Sequence, residues 1–171
     1  MNTWHIIYFH GLDSFLTDEK KEVLRHFGTV TAPALDYRSG DVIKEISELF
    51  EDKETNNVLI GSSMGGYVAY QYSQIYQLPC LLFNPALPTR SIDLEIKLPS
   101  NRNKSGYMYA VLGKNDDVIN YANNLEFINR NIHTPKNIIT EESMGHRVPL
   151  HLFEKHVGLF FRHLNTQPSP S

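Results

Sequence analysis

The fold of this chain is decided by residues 58–76, which read VLIGSSMGGYVAYQYSQIY. Residues 58–60 have the length and β-branching of a buried strand, and a helix is predicted from about Met64. A strand that passes at once into a helix needs a very sharp bend, which pushes Ser63 toward a positive φ. Gly61 and Gly65 then lie almost against each other, and only a hydrogen fits between them.

This bend has a chemical consequence, because it exposes the Ser63 hydroxyl at the carboxyl end of the sheet. The first free N–H groups of the helix are aimed at whatever that hydroxyl attacks, so the Met64 N–H is a candidate oxyanion donor. The alternative is a glycine-rich turn with an incidental serine. Nucleotide binding is not favoured, because no Gly-Lys-Ser/Thr follows and the glycines do not fall as G-x-G-x-x-G.

Length and charge restrict the function classes. The chain has 171 residues and a formal net charge of −3. We predict one domain over residues 1–165 and a flexible, low-complexity tail over residues 166–171. No Lys/Arg run suggests nucleic-acid binding. No apolar run approaches the length of a membrane span and no leader pattern opens the sequence, so a cytoplasmic protein without membrane contacts is predicted. The oligomeric state is left open.

Six strands and five helices are predicted, and they alternate along the chain. The strands are expected at residues 4–9, 29–32, 58–60, 79–83, 107–112 and 137–140, and the helices at residues 17–27, 41–53, 64–76, 118–131 and 149–164. This pattern predicts an α/β fold with a mostly parallel sheet of about six strands and helices on both faces. Ligand chemistry in such a sheet lies at the carboxyl ends of the strands.

A serine hydroxyl needs an adjacent base to act as a nucleophile. Of the eight histidines, His146 is the best candidate because it follows a glycine in the last loop after the last strand. The alternative is a loop histidine that caps a helix. His151 and His156 are five residues apart, about 140° around a helix, which is a poor geometry for two metal ligands. No H-E-x-x-H is present, so neither a metal nor a cofactor is predicted.

The base in turn needs a carboxylate that fixes its tautomer. Asp116 and Asp117 follow the fifth predicted strand and stand between the serine and the histidine in the sequence. We favour Asp116, since Asp117 could cap a helix that begins near Val118. Helix capping is also the alternative for either aspartate alone.

Further candidates lie in the loops after the first and fourth strands. Gly11 allows a close backbone approach, and the Leu12 N–H is the candidate second oxyanion donor. His10 either orients this loop or packs there as a polar residue. Asn84 is a candidate substrate-binding residue at the end of the fourth strand, and Cys80 is expected to be an inert core thiol.

Taken together, these motifs resemble the α/β-hydrolase superfamily over nearly the whole chain. The matching motifs are His10-Gly11 and residues 61–65, 113–119 and 145–149. The Gly-x-x-Asp-x-Val pattern resembles the acid loop of the superfamily, which favours Asp116. The small size and residues 82–86, LFNPA, are similar to the YqiA-type (UPF0227) esterases. This resemblance implies a minimal, lidless esterase that lacks the first two strands of larger members.

The predicted function is a serine hydrolase, either a carboxylesterase or a thioesterase, that cleaves a small-molecule ester or thioester through an acyl-enzyme. Activity should fall as the pH drops through the ordinary histidine pKa near about 6.5. Residues 87–105 are expected to govern substrate choice around an open site that accepts short acyl chains. The alternatives are a catalytically silent binding or scaffold protein and an enzyme that cleaves a C–C or amide bond.

Overall fold

The computed structural model describes residues 4–51, 56–98 and 106–166. Strands and helices alternate along these segments as predicted, except that no helix is described between the fourth and fifth strands. In chain order they are β1 (Trp4–Phe9), α1 (Asp18–Arg25), β2 (Gly28–Thr31), α2 (Val42–Glu48), β3 (Asn57–Ser62), α3 (Met64–Tyr76), β4 (Cys80–Phe83), β5 (Met108–Gly113), α4 (Tyr121–Asn131), β6 (Lys136–Glu141) and α5 (Leu150–Thr166). Residues 167–171, which make up most of the predicted tail, lie outside the described segments.

All six strands are parallel and lie in the order β2-β1-β3-β4-β5-β6. The predicted α/β architecture is therefore confirmed. The order reverses at β1, which has β2 on one side and β3 on the other. The carboxyl ends of β1 and β3 form a topological switch point, where parallel sheets of this kind bind their ligands. The loops that follow these two strands carry Leu12 and Ser63.

The sheet is buried on both faces, because successive strand side chains point to opposite sides. On one face, side chains such as Phe9 and Leu59 pack with residues of α2, α3 and α4. On the other face, Tyr8 and Phe83 pack with residues of α1 and α5. The helices of the described segments include none that is long and apolar enough to cross a membrane.

Two helix boundaries differ from the prediction by more than two residues. Helix α2 ends at Glu48, because the N–H groups of the next two residues donate to the carbonyl groups three residues earlier in the sequence. This shorter hydrogen-bond spacing tightens the chain into a turn. Part of the predicted extension, residues 52 and 53, lies outside the described segments. Helix α4 begins at Tyr121 rather than at residue 118. The Asn120 side chain accepts the N–H groups of Ala122 and Asn123 at 3.0 and 3.1 Å, which makes it the N-cap.

Gly65 marks the point where helix α3 lies directly against the end of β1. A Cβ atom at Gly65 would lie 2.0 Å from the carbonyl oxygen of Phe9 and 2.4 Å from that of His10. These are backbone atoms, so they cannot move aside without displacing the strand. We expect Gly65→Ala to lower the free energy of unfolding by about 3–5 kcal/mol, measured by urea denaturation with circular dichroism.

The matched control is Gly158→Ala in helix α5, where an added Cβ would meet no atom within 4 Å. Alanine is a better helix former than glycine, so this variant should gain about 0.5–1 kcal/mol. Equal unfolding midpoints for the two variants would contradict the close packing of α3 on β1.

Candidate active site

Ser63 occupies the corner between β3 and α3 with φ 55° and ψ −119°. Three backbone hydrogen bonds hold this strained backbone in place. The Ser63 N–H donates to the Phe83 carbonyl at 3.0 Å, and the Ser63 carbonyl accepts the N–H groups of Tyr67 at 3.1 Å and Ala86 at 2.9 Å. A Cβ at Gly61 would lie 2.2 Å from the Gly65 carbonyl oxygen, so the two glycines do lie against each other. The corner is therefore fixed by its neighbours and presents one hydroxyl at the switch point.

His146 lies in the loop between β6 and α5 and contacts Asp116. Its Nδ1 is 3.0 Å from both carboxylate oxygens of Asp116. The Asp116 side chain is 0% exposed, whereas that of His146 is 25% exposed. Asp117 is exposed and lies next to the pair without joining it. The structure thus places Asp116, and not Asp117, against the imidazole.

The pKa of Asp116 is lowered from its ordinary value. Burial is the largest single influence and opposes ionisation, but hydrogen bonds from His146 and from two backbone N–H groups together outweigh it. These N–H groups belong to Val118 and Ile119, and each donates to Oδ1 at 2.8 Å. The carboxylate is therefore charged at neutral pH. An ionised carboxylate can only accept, so Nδ1 carries the hydrogen and the lone pair of the neutral ring lies on Nε2.

The loops that carry Asp116 and His146 are fastened to each other through their backbones. The Asn115 N–H donates to the Met144 carbonyl at 3.1 Å, and the Lys114 N–H donates to the Glu141 carbonyl at 3.0 Å. A Cβ at Gly113 would lie 2.3 Å from the Met144 carbonyl oxygen, so only glycine permits this approach. Parallel pairing of β5 with β6 thus continues into the loops and sets the distance between the acid and the histidine.

Asn84 connects the same loops to the end of β4. Its Nδ2 donates to the carbonyls of Gly145 at 2.9 Å and His146 at 3.2 Å, and its Oδ1 accepts the Gly113 N–H at 2.8 Å. The residue is buried and does not line the cleft described below. Because its amide is used on backbone groups, we propose that Asn84 positions the histidine loop, in place of the substrate-binding role expected from the sequence.

His10 holds the loop that follows β1. Its Nε2 accepts the Leu35 N–H at 2.9 Å, so the ring hydrogen lies on Nδ1, which donates to the Gly11 carbonyl at 2.7 Å. The C=O and N–H of a trans peptide point in opposite directions, so this bond also orients the Leu12 N–H. Of the two roles open to His10, the contacts favour orienting the loop over simple packing.

Five of the predicted site residues meet in a cleft of about 860 Å³. Its wall includes Ser63, His146, Gly11, Leu12 and Met64. A Cβ at Gly11 would lie 3.3 Å from the Cβ of Ser63, which shows how closely the β1 loop approaches the serine. Within the described segments, the N–H groups of Leu12 and Met64 donate to no acceptor, and no hydrogen bond joins the Ser63 hydroxyl to His146. In ligand-free sites such bonds are often long and tighten only around the substrate.

Sequence reasoning did not identify three cationic side chains in this cleft, those of Lys20, Arg90 and Arg147. Lys20 comes from the first turn of α1 and Arg90 from the segment after β4, and neither position carries a motif. Arg147 could have been suspected only because it follows His146. The prediction for Cys80 is confirmed as far as burial goes, because the thiol is fully buried and its burial raises the pKa to about 12.

Comparisons with known proteins agree with this architecture. Residues 5–110 match UPF0227, an uncharacterised protein family. Similar solved structures include a protein of the alpha/beta hydrolase superfamily from Xanthomonas campestris pv. campestris (21% identity, TM-score 0.67, 96% of this chain and 99% of that one). They also include alpha/beta hydrolase domain-containing protein 10 from mouse (15%, TM-score 0.69, 95% and 91%). A third is FphF, a fluorophosphonate-binding serine hydrolase of Staphylococcus aureus (14%, TM-score 0.66, 96% and 84%). No curated protein matches the sequence.

Proposed function

Because this chain belongs to the UPF0227 family and has an α/β-hydrolase fold, we propose that it is a serine hydrolase of carboxylic esters or thioesters. One observation carries the proposal. An imidazole held by a buried, ionised carboxylate opens onto the same cleft as a serine hydroxyl at a strained strand–helix corner. Serine hydrolases and a carboxylesterase are among the structural neighbours, which supports the same chemistry.

The proposed reaction begins when the Ser63 oxygen attacks the substrate carbonyl carbon. His146 Nε2 accepts the hydroxyl proton, and the Asp116 carboxylate stabilises the imidazolium that results. The carbonyl oxygen becomes an oxyanion held by the N–H groups of Met64 and Leu12, each worth about 3–4 kcal/mol in comparable sites. When the oxyanion collapses, the imidazolium gives its proton to the departing alcohol or thiol, and an acyl-enzyme remains.

Hydrolysis of the acyl-enzyme repeats these steps with water. His146 takes a proton from the attacking water, and the oxyanion forms again between the same two N–H groups. Collapse releases the carboxylic acid and returns the proton to the Ser63 oxygen. The chain's own residues thus supply the nucleophile, the base and the oxyanion donors.

The segment after β4 contributes Thr89, Arg90 and Ser91 to the wall of the cleft. This supports the proposal that residues 87–105 influence substrate choice, although residues 99–105 lie outside the described segments. The described part of this segment contains no helix or strand that could cover Ser63. We therefore propose an open site that accepts short acyl chains.

A fluorophosphonate probe tests the proposal, because it reacts with serines that are activated in this way. We expect native protein to gain one adduct by intact mass, located on Ser63 by peptide mapping, and heat-denatured protein to gain none. With p-nitrophenyl acetate we expect deacylation to be slower than acylation, so the accumulating acyl-enzyme should give a burst of nitrophenolate equal to the protein concentration. Native protein that gains no adduct, or gains it on another residue, would overturn the proposed function.

A further inference from the structure

We propose that the substrate of this site carries a carboxylate or phosphate group, and that Arg90 binds this group. The inference rests on the proposed function and deepens it by naming the substrate class. The charges on the wall of the cleft are mostly positive, whereas the whole chain has a net negative charge.

The cleft has three cations and one acid on its wall. Lys20, Arg90 and Arg147 are the cations, and Asp13 is the acid. Asp13 is already paired, because its two carboxylate oxygens accept hydrogen bonds from the guanidinium of Arg38 at 2.7 and 2.9 Å. When the partner of each pair is counted, Arg38 for Asp13 and Asp93 for Arg90, the cleft retains an excess of positive charge, which favours anionic ligands.

Arg90 differs from the other two cations because its guanidinium is held in place. Its central carbon lies 4.0 Å from the centre of the Tyr67 ring, one turn into helix α3 from Ser63. Its Nη1 donates to the Leu87 carbonyl at 3.3 Å, and its side chain is only 23% exposed. A guanidinium that is stacked and tethered in this way loses little conformational freedom when it binds a ligand.

The same group has hydrogens to spare. Its Nε lies 2.9 Å from an oxygen of Asp93, whose side chain is 83% exposed, so solvent weakens this pair. Its Nη2 donates to no acceptor within the described segments. A planar fork with free N–H groups matches the oxygens of a carboxylate or a phosphate. Lys20, by contrast, packs over Phe153 on the opposite face of the sheet and offers only a point charge.

Matched esters test the assignment. p-Carboxyphenyl butyrate and p-phosphonophenyl butyrate carry the anion on the leaving group, which is one arm of the ester. The phenyl monoester of adipic acid carries it on the acyl group, which is the other arm. The neutral counterparts are p-carbamoylphenyl butyrate and the phenyl ester of adipamic acid. For at least one arm we expect kcat/KM of the anionic ester to exceed that of its neutral counterpart by about tenfold or more. The reason is that hydrogen bonds between charged groups are stronger than hydrogen bonds between neutral groups. The two anionic butyrates show whether a carboxylate or a phosphonate, which serves here as the analogue of a phosphate, is preferred.

Variants locate the effect. Arg90→Gln should bring the anionic-to-neutral ratio close to one, and Arg90→Lys should retain part of it because the charge remains. The control is Arg130→Gln, which removes a surface arginine paired with Glu126 on α4 and should keep the full ratio. Circular dichroism checks that each variant is folded. A wild-type ratio near one on both arms would overturn the proposal, and so would a ratio that survives in Arg90→Gln.

A binding measurement separates this inference from the proposed function. Ser63→Ala protein should bind the anionic esters about tenfold more tightly than the neutral ones by calorimetry, and Arg90→Gln should remove the difference in that background. Wild-type protein that fails to label with fluorophosphonate contradicts the hydrolase. Protein that labels but shows no preference in binding or turnover contradicts only the anionic substrate.

Discussion

Ser63→Ala is expected to lower the rate of p-nitrophenyl ester hydrolysis by about 10⁶-fold, the scale seen when a hydrolase loses its nucleophile. The reason is that the variant retains the oxyanion N–H groups and the histidine but has no oxygen to acylate. Alanine has the same Cβ as serine, so the corner at φ 55° should be tolerated as before. Initial rates at saturating ester, with thermal unfolding to confirm the fold, measure the effect.

Ser62→Ala is the matched control for this experiment. Ser62 is the last residue of β3 and stands one position before the corner, so the two variants remove the same hydroxyl from neighbouring sites. Ser62 also lines the cleft, but it belongs to the strand before the corner, so we expect Ser62→Ala to retain most of the activity. If Ser62→Ala were the inactive variant and Ser63→Ala the active one, the assignment of the nucleophile would be wrong.

The parts of the fold that the sequence predicted are those set by local pattern. The β3–α3 corner needs a strand, two glycines and a helix within a few residues, and all of them are visible in residues 58–76. The parallel sheet follows from the alternation of strands with helices. His146 and Asp116 could be proposed because both lie in loops at the carboxyl ends of strands, where a parallel sheet brings them together.

The parts that could not be predicted depend on contacts between distant segments. Asn84 forms hydrogen bonds with backbone groups about 30 and 60 residues away in the sequence, and no sequence pattern around it predicts those partners. The start of α4 was predicted too early, because Asp116 ties the N–H groups of Val118 and Ile119 into the loop and leaves Asn120 as the cap. Nothing in the sequence distinguishes Arg90 from other charged residues in irregular segments. Its position over the Tyr67 ring is visible only in the structure.

Asp116→Asn is expected to lower kcat/KM by about 10⁴-fold, since the charge that stabilises the imidazolium is lost. The amide retains the size of the carboxylate, and its oxygen can still accept the Val118 and Ile119 N–H groups. Its NH₂ group then faces Nδ1 of His146, so the favoured tautomer carries its hydrogen on Nε2. A ring protonated at Nε2 cannot accept the proton of the Ser63 hydroxyl. Fluorophosphonate labelling should slow in parallel with turnover, because both need the same base.

Asp117→Asn makes the same chemical change at the adjacent residue and decides between the two aspartates. Asp117 is exposed, and no hydrogen bond within the described segments joins it to the imidazole. The activity of the Asp117→Asn variant should therefore stay within about twofold of wild type. Activity that survives in Asp116→Asn but disappears in Asp117→Asn would show that the loop rearranges in solution. Equal losses in both variants would point to the summed negative charge of the loop, and not to the hydrogen bond at Nδ1, as the support of the base.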